Sequence, residues 1–479
     1  MKIKSISFIA LLSITLFSFG QEQPNFIVIF TDDHGYADIG ANGQVADIKT
    51  PNIDALASNG VRFTSGYITA PQCIPSRAGL LSGRYQQRFG VDHNGTIPMP
   101  LEEKLFPAYL QEAGYVTGMT GKWHLEPNHV QHEWIKKNLP EIADQNSYVP
   151  SDIPRNMKMP YYPPSKGFDE YYYGPMYNIL ANYELSGNDL DQQWFEETGY
   201  RLDNQTKAAT TFIERNHDKP FFFYLPYYAP HVPLEATEKY LSRFPGDMPE
   251  RRRYCLAMLS AIDDGIGKLK TTLKSYGIAD NTVIFFISDN GAPLKIYKED
   301  KTLAFKGGAW NGSLNTPFVG EKGMLSEGGI RVPFIINWPA GLKKGLVYET
   351  PVTSLDVAAT CLSLAEVDLP KKFDGVNLIP YLNDVIEDSP HEALYWRFWD
   401  QSAIRMGNFK FLKAGNREYL FDVSTEEHEN KNLIHDHPRK AKLMKDKLLK
   451  WASELHIKGV SDTEIKNEKI WYDHYFQNN

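Results

Sequence analysis

Four continuous apolar runs along the chain indicate strands that are buried on both faces of a sheet. They lie at 25–30, 220–225, 282–287 and 332–337, and a fifth strand is predicted at 115–120. Segments with helical spacing separate these runs. Strands that alternate with helices favour an α/β fold with a large, mostly parallel or mixed sheet between two layers of helices.

Three helices are predicted in the same part of the chain. A short one runs from 51 to 56, because Thr50 can cap it and Pro51 suits its first turn. A second spans 101–113 and ends before glycine. A third and longer helix follows from apolar residues at helical spacing, which are Leu256, Leu259, Ile262, Ile266 and Leu269.

Two stretches depart from this alternating pattern. In 129–200 proline, tyrosine and asparagine predominate, which predicts long loops of the kind that carry recognition surfaces. Later in the chain the pattern changes to three short strands and one helix, at 403–406, 410–413, 419–423 and 438–455. We therefore predict a main α/β domain at 21–388 and a smaller C-terminal α+β subdomain at 389–479.

The N-terminal residues have the pattern of a signal peptide. Lys2 and Lys4 give a basic start, 6–19 is an apolar core, and small residues stand near position 20. A buried N-terminal helix is the alternative, but the polar segment 21–24 stops the apolar pattern abruptly. We expect a signal peptide at 1–20 and a periplasmic or secreted protein. No later apolar stretch reaches the roughly 18 residues of a membrane span, so we expect no integral span.

Composition and charge narrow the classes of function. The 479 residues are 42% hydrophobic and 23% charged, as is ordinary for a globular protein. The formal net charge of −8 provides no general attraction to nucleic acid, and we expect no nucleic-acid partner. An anionic substrate would therefore need a local cluster of cations.

Three cysteines are too few for a disulfide framework in an exported chain of this size. Cys255 and Cys361 lie in apolar helical runs, as small core residues do. Cys73 lies among proline and polar residues instead. An unpaired cysteine in an oxidising compartment calls for a chemical reason.

Acidic and amide side chains follow two of the buried strands. Asp32 and Asp33 come after the first, and Asp289 and Asn290 come after the run at 282–287. Ligands of α/β sheets bind outside the carboxyl ends of the strands, and oxygen ligands suit Ca²⁺ or Mg²⁺ rather than zinc. The alternative for each pair is that it caps the turn or helix that follows.

The segment 73–84, CIPSRAGLLSGR, resembles the signature of the type I, formylglycine-dependent sulfatases of the alkaline phosphatase superfamily. In that family a maturation enzyme oxidises the cysteine to 3-oxoalanine (formylglycine), and the hydrated aldehyde is the nucleophile. The resemblance therefore implies that Cys73 is converted to formylglycine and that a formylglycine-generating enzyme is a partner. It also implies an alkaline-phosphatase-like fold.

Further segments resemble the same family in the same order along the chain, at 121–125, 229–231, 288–291, 322–333 and 418–423. Two of these segments have a neighbouring sequence that departs from the family's pattern. Glu126 stands where the Gly-Lys-Trp-His-Leu segment often continues with glycine, and Val319-Gly320-Glu321 replaces Arg-Gly-Gly before Lys322. These departures concern the sugar subsite rather than the chemistry at sulfur.

The resemblance implies a role for each site residue. One Ca²⁺ ion per chain is expected at Asp32, Asp33, Asp289, Asn290 and the oxidised Cys73. Such an ion and nearby cations stabilise the negative charge of a sulfate ester during hydrolysis.

The remaining roles concern charge and proton transfer. Arg77 stabilises the attacking oxygen, Lys122 and Lys322 hold sulfate oxygens, His231 protonates the leaving alcohol, and His124 takes the proton that releases sulfate. His93 is a candidate substrate contact, because it follows the nucleophile's helix closely.

These assignments indicate an exported sulfatase that acts on a sulfated carbohydrate. The segments 315–323 and 391–397 resemble bacterial polysaccharide sulfatases, and ulvan, carrageenan or a glycosaminoglycan is the expected class of substrate. Two alternatives stay open. One is a formylglycine-dependent phosphonate or phosphodiester hydrolase, and the other is a non-catalytic protein that binds sulfated glycans.

Overall fold

The computed structural model describes residues 23–143, 148–305, 308–463 and 468–477. The predicted signal peptide at 1–20 therefore lies outside the described residues. Within these ranges no helix is both long and apolar enough to cross a bilayer.

Regular elements follow one another along the described ranges. The strands are β1 (Asn25–Thr31), β2 (Val61–Phe63), β3 (Gly66–Tyr67), β4 (Val116–Gly121), β5 (Glu170–Tyr173), β6 (Asn178–Tyr183), β7 (Asp189–Glu196), β8 (Phe221–Pro226), β9 (Thr282–Ser288), β10 (Phe334–Asn337), β11 (Leu346–Tyr348), β12 (Val352–Thr353), β13 (Leu394–Phe398), β14 (Gln401–Met406), β15 (Phe409–Ala414) and β16 (Arg417–Asp422). The helices are α1 (Pro51–Ser58), α2 (Cys73–Ser82), α3 (Phe106–Glu112), α4 (His132–Asn138), α5 (Arg155–Lys158), α6 (Arg201–Asn216), α7 (Glu238–Leu241), α8 (Glu250–Ser275), α9 (Glu327–Ile330), α10 (Leu355–Leu364), α11 (Ile379–Leu382), α12 (Pro438–Ala452) and α13 (Lys469–Tyr475).

The central sheet has ten strands in the order β11-β2-β10-β9-β1-β8-β4-β5-β6-β7. The strands from β9 to β5 run parallel, whereas β10 and β6 run antiparallel to both of their neighbours. The sheet is therefore mixed, with a parallel centre, and the predicted α/β class is confirmed.

Successive residues of β1 contribute to two different hydrophobic cores. Phe26 and Phe30 belong to the core that includes α2, α3 and α10, whereas Ile27 and Ile29 belong to the core that includes α1, α6 and α8. A strand that is covered on both faces needs apolar residues at every position. This requirement explains the unbroken apolar run that the sequence shows at 26–30.

Helix α2 is pressed into the first of these cores, and all ten of its residues are buried. Its middle has no room for a side chain at Gly79, where an added Cβ would lie 2.4 Å from Thr69 Oγ1. The helix ends at Gly83, whose φ of 65° is a backbone conformation that favours glycine. Its first residue, Cys73, is thereby held at the carboxyl ends of the central strands.

The C-terminal subdomain consists of the antiparallel sheet β13-β14-β15-β16 with α12 packed against it. It is joined closely to the rest of the chain, since the Trp396 indole donates a hydrogen bond of 2.7 Å to Ile68 O. The Lys410 ammonium lies 2.9 Å from Glu327 Oε1 in the same interface, with both side chains buried. The subdomain is confirmed, with four strands rather than the three predicted, since β13 was missed. Its boundary at 388/389 stays a prediction.

Three local expectations differ from the structure. The segment 129–200 contains α4, α5 and strands β5 to β7 rather than loops alone. Strands β6 and β7 lie at the edge of the sheet, and β7 is mostly exposed, so the hydrophobic pattern of a buried strand is missing. Helix α3 begins at Phe106 rather than at 101, with Pro107 in its first turn, and β10 begins after Pro333.

Candidate active site

The two acidic strand ends meet at one edge of the sheet. Strands β1 and β9 are parallel neighbours, and Thr31 is paired with Ser288. Asp32 and Asp33 therefore lie beside Asp289 and Asn290, as the sequence predicted. Parallel strands place their carboxyl ends on the same side, where α/β proteins bind ligands.

Hydrogen bonds tie these side chains into one arrangement. The backbone N–H of Asp33 donates to Asp289 Oδ1 at 3.0 Å. The Asn290 side-chain amide donates to Asp33 Oδ1 at 2.6 Å. Asn290 Oδ1 is buried and has no hydrogen-bond partner in the described part of the chain, so it is an acceptor that remains available.

Cys73 faces this cluster from the first turn of α2. Its Sγ lies 3.6 Å from Asp32 Oδ1 and 3.3 Å from Lys322 Nζ. Cys73 is only 2% exposed to solvent. Burial raises the pKa of the Cys73 thiol to about 12, and Asp289 adds to the rise. The unmodified thiol is therefore protonated at neutral pH and is not a nucleophile.

Each of the three carboxylates has a cationic partner. Lys122 Nζ lies 2.8 and 2.7 Å from the two oxygens of Asp32. The other two pairs are Lys322 Nζ with Asp33 Oδ1 at 2.6 Å and Arg77 Nη2 with Asp289 Oδ2 at 2.6 Å.

These pairs set the charge of the site. Burial alone would raise the pKa of Asp32. The Lys122 ammonium outweighs this effect and holds the pKa of Asp32 well below its ordinary value. Burial lowers and Asp33 raises the pKa of Lys322, and the net shift is upward. Three cations thus balance three carboxylates, and a divalent ion would make the centre positive, as an anionic ester requires.

Two histidines border the same centre. His124 follows Lys122 closely, and burial lowers its pKa well below the ordinary value, with Lys122 adding to the effect. His231 Nε2 lies 3.6 Å from Asp33 Oδ2. Burial also lowers the pKa of His231, while the carboxylates of Asp32 and Asp33 oppose that shift. A ring nitrogen of His231 also lies within 4.8 Å of Cys73 Sγ, and the proton-transfer roles of both histidines stay predictions.

The donor atoms at this centre fit a hard divalent cation. Ligand atoms of Asp32, Asp33, Cys73 and His231 all lie within 4.8 Å of one another. The two oxygens of Asp289 accept hydrogen bonds from Arg77 and from the Asp33 N–H, and the role of Asp289 as a metal ligand stays a prediction. Together with the unpartnered Asn290 Oδ1, the predominantly oxygen donors suit Ca²⁺ or Mg²⁺.

His93 lines a different cavity from the one that His124 lines. His124 borders a cavity of about 760 Å³, whereas His93 borders another of about 630 Å³ together with Arg397 and Trp399. Its neighbour Asn94, which the sequence did not single out, lines the first cavity and accepts a hydrogen bond of 3.1 Å from the Ile74 N–H. The substrate role of His93 stays a prediction.

Comparisons with known proteins point to one family. Residues 24–367 match the family described as sulfatase, and 319–455 match the family described as the C-terminal part of N-sulphoglucosamine sulphohydrolase. Arylsulfatase J of Mus musculus is 30% identical over 431 residues, which cover 84% of this chain and 66% of that protein. N-acetylgalactosamine-6-sulfatase of Homo sapiens is 32% identical over 407 residues, which cover 81% of this chain and 71% of that protein.

A solved structure is similar over almost the whole chain. It is the crystal structure of Ps i-CgsB in complex with k-i-k-neocarrahexaose, which is 28% identical to this chain with a TM-score of 0.74. The alignment covers 96% of this chain and 98% of that one. The similarity therefore includes both the central sheet and the C-terminal subdomain.

Proposed function

The chain belongs to the sulfatase family and is a sulfuric ester hydrolase, and we propose that it is an exported enzyme that hydrolyses sulfate monoesters of a sulfated carbohydrate. The nucleophile in this proposal is a formylglycine made from Cys73, and the cofactor is one Ca²⁺ ion. The observation that carries it is the convergence of Arg77, Lys122 and Lys322 with three carboxylates around a buried cysteine.

The charge of this centre suits a sulfate ester. When bound at Asp32, Asp33, Asp289, Asn290 and position 73, the ion would polarise a sulfate oxygen and lower the pKa of the attacking hydroxyl. The hydrated formylglycine would supply that hydroxyl. Lys122 and Lys322, which contact carboxylate oxygens at 2.6–2.8 Å, would bind the sulfate oxygens. Preorganised cations of this kind stabilise negative charge without reorganising during the reaction.

The remaining residues move protons or stabilise the nucleophile. Arg77 is buried between Asp289 and Asp32, so its guanidinium is held toward position 73. His231 would protonate the leaving alcohol, and His124 would take the proton whose removal releases sulfate. The S–O bond would break, so the configuration at the sugar carbon would be retained.

A carbohydrate substrate and export are supported by separate observations. One relative is named for N-acetylgalactosamine 6-sulfate, and the similar crystal structure contains k-i-k-neocarrahexaose. An algal polysaccharide such as ulvan or carrageenan, or a glycosaminoglycan, is the class of substrate that we propose. Export to the periplasm or medium rests on the N-terminal pattern of 1–20.

The decisive experiment is mass spectrometry of the peptide that contains Cys73, from protein made with a formylglycine-generating enzyme. The aldehyde is about 18 Da lighter than the thiol and its hydrate nearly matches the thiol, so a hydrazide adduct identifies it. We expect conversion at Cys73 and hydrolysis of 4-nitrophenyl sulfate that Cys73→Ala abolishes and the control Cys361→Ala retains.

Other results would favour the alternatives. A thiol that stays unmodified despite a competent maturation enzyme would favour a glycan-binding protein. Faster hydrolysis of a phosphodiester than of a sulfate ester with the same leaving group would favour a phosphodiester hydrolase.

A further inference from the structure

Four buried polar atoms without a hydrogen-bond partner in the described residues border the cavity of about 760 Å³ beside the active centre. They are His124 Nδ1, Glu126 Oε2, Asn128 Nδ2 and Tyr173 Oη. Buried polar groups are nearly always hydrogen-bonded in folded proteins, because leaving one unpaired is costly. Their concentration around one cavity gives it a polar wall that can bond to water or to a polar ligand.

These atoms differ in whether they can donate or accept a hydrogen bond. The Glu126 carboxylate accepts, the Asn128 amide nitrogen donates, and the Tyr173 hydroxyl does either. A ligand that satisfies all of them must present both hydrogen-bond donors and hydrogen-bond acceptors. Hydroxyl groups on a rigid ring, as in a sugar, have this property. The cavity volume is also within the range of about 300–1,000 Å³ that small-molecule sites occupy.

The same cavity has two cationic residues on its wall. The Arg155 guanidinium lies 4.5 Å from the centre of the Trp194 ring, which holds it in place. Lys158 Nζ donates to Pro150 O at 2.7 Å, and Pro150 also lines the cavity. Against these two cations the wall has one carboxylate, Glu126. The lining is thus net positive in a chain whose formal net charge is −8.

We propose that this cavity binds the sugar unit that carries the scissile sulfate, and that it selects units with a second anionic substituent. The proposal rests on the proposed sulfatase function, since His124 connects the cavity with the active centre. Glu126, Asn128 and Tyr173 bond to ring hydroxyls, and Arg155 and Lys158 pair with the second sulfate or carboxylate. Glu126, a departure from the family's sequence pattern, is therefore a specificity-determining residue.

The test measures binding apart from catalysis. Two matched pairs of oligosaccharides are titrated by calorimetry into Cys73→Ala protein: κ- and ι-carrageenan tetrasaccharides, and mono- and disulfated chondroitin disaccharides. We expect the more highly sulfated member of at least one pair to bind about 10-fold tighter. Removal of both cations, with Arg155→Ala and Lys158→Ala, should reduce that difference to less than about 3-fold. Lys137→Ala, which removes an exposed cation of α4 outside the cavity, should leave it unchanged.

A separate variant tests the proposed hydrogen bonds to the sugar hydroxyls. In the matured enzyme Tyr173→Phe should lower kcat/KM for the oligosaccharide at least about 10-fold more than for 4-nitrophenyl sulfate. Tyr183→Phe, which removes a buried hydroxyl bonded to Ala208 O, is the matched control and should show no such difference.

The results separate this proposal from the function on which it rests. The cavity assignment is overturned if the preference for the more sulfated oligosaccharide persists without Arg155 and Lys158. It is also overturned if the protein binds neither pair of oligosaccharides. Absence of Cys73-dependent turnover of 4-nitrophenyl sulfate overturns the proposed function instead. The binding titrations would still decide whether the cavity takes anionic sugars.

Discussion

Asn290 donates a hydrogen bond of 2.6 Å from its side-chain amide to Asp33 Oδ1, although 257 positions separate the two residues. The bond fixes which end of the amide faces which neighbour. Asn290 Oδ1, at the other end of the same amide, is thereby left buried without a partner in the described residues. An oriented amide oxygen among carboxylates is a suitable ligand for Ca²⁺.

Removal of the amide should weaken metal binding. We expect a calcium chelator to abolish sulfate ester hydrolysis and added Ca²⁺ to restore it. Asn290→Ala should raise the Ca²⁺ concentration for half-maximal activity by at least about 10-fold, because a ligand and the group that orients Asp33 are both lost. Asn216→Ala, which removes a buried amide of α6 bonded to Phe212 O, is the control. Activity that withstands chelation would contradict the metal assignment.

The burial of Cys73 predicts the order of maturation and folding. The residue is 2% exposed, and every residue of α2 is buried, so an enzyme cannot reach the thiol in the folded chain. We expect a formylglycine-generating enzyme to convert a peptide covering 68–88 and the chemically unfolded chain, but not the folded protein. Mass spectrometry of the Cys73 peptide measures the converted fraction in each sample. Equal conversion of folded and unfolded protein would refute this order.

The assignment of His231 predicts how the leaving group affects the rate. A nitrophenolate leaves without a proton, whereas a sugar alkoxide requires one. His231→Ala should therefore lower kcat about 10²–10⁴-fold for a sugar sulfate and far less for 4-nitrophenyl sulfate. His217→Ala, a histidine that stacks on Tyr276 away from the site, serves as the control. Equal losses on both substrates would assign His231 to binding the metal or sulfate instead.

An ion pair between the C-terminal subdomain and α10 predicts a pH dependence of stability. His391 Nε2 lies 2.8 Å from Asp356 Oδ1, and the His391 side chain is 10% exposed. Burial alone would lower the pKa of His391. The Asp356 carboxylate outweighs this effect and raises the pKa of His391 above its ordinary 6.5. The protonated form is thus favoured in the folded state. Its stabilising contribution is complete below pH 6.5 and is lost as the pH rises through the raised pKa.

Thermal unfolding between pH 5 and 9 measures this contribution. Wild-type protein should lose part of its thermal stability above pH 6.5, and His391→Gln should remove that part of the pH dependence. Asp356 keeps hydrogen bonds from the Thr353 and Val376 N–H groups in the variant, so the carboxylate does not become unpaired. A variant with the wild-type pH profile would show that the pair does not contribute.

The sequence predicted the central elements well and the peripheral ones poorly. Strands β1 and β9 are buried on both faces, and an unbroken apolar run is a strong signal for that environment. The edge strand β7 has exposed polar residues at most positions, so no buried pattern marks it in 129–200. Its hydrogen bonds to β6, rather than its own side chains, make it a strand.

Local sequence also determined which residue types form the active centre. The strand ends at Asp32 and Asp289 and the motif that begins at Cys73 are short segments, and the direction of parallel strands suffices to bring the two strand ends together. The C-terminal subdomain was likewise recognisable, because antiparallel strands with short turns leave a local pattern.

Only the tertiary structure decided how these residues are paired. The partners Lys122 and Asp32 are 90 positions apart, and Arg77 and Asp289 are 212 positions apart. Which cation neutralises which carboxylate depends on distances across the sheet, and no local pattern encodes those distances. For the same reason, the packing of α5 and β5 beside His124, which builds a cavity around Glu126, could be found only from the folded chain.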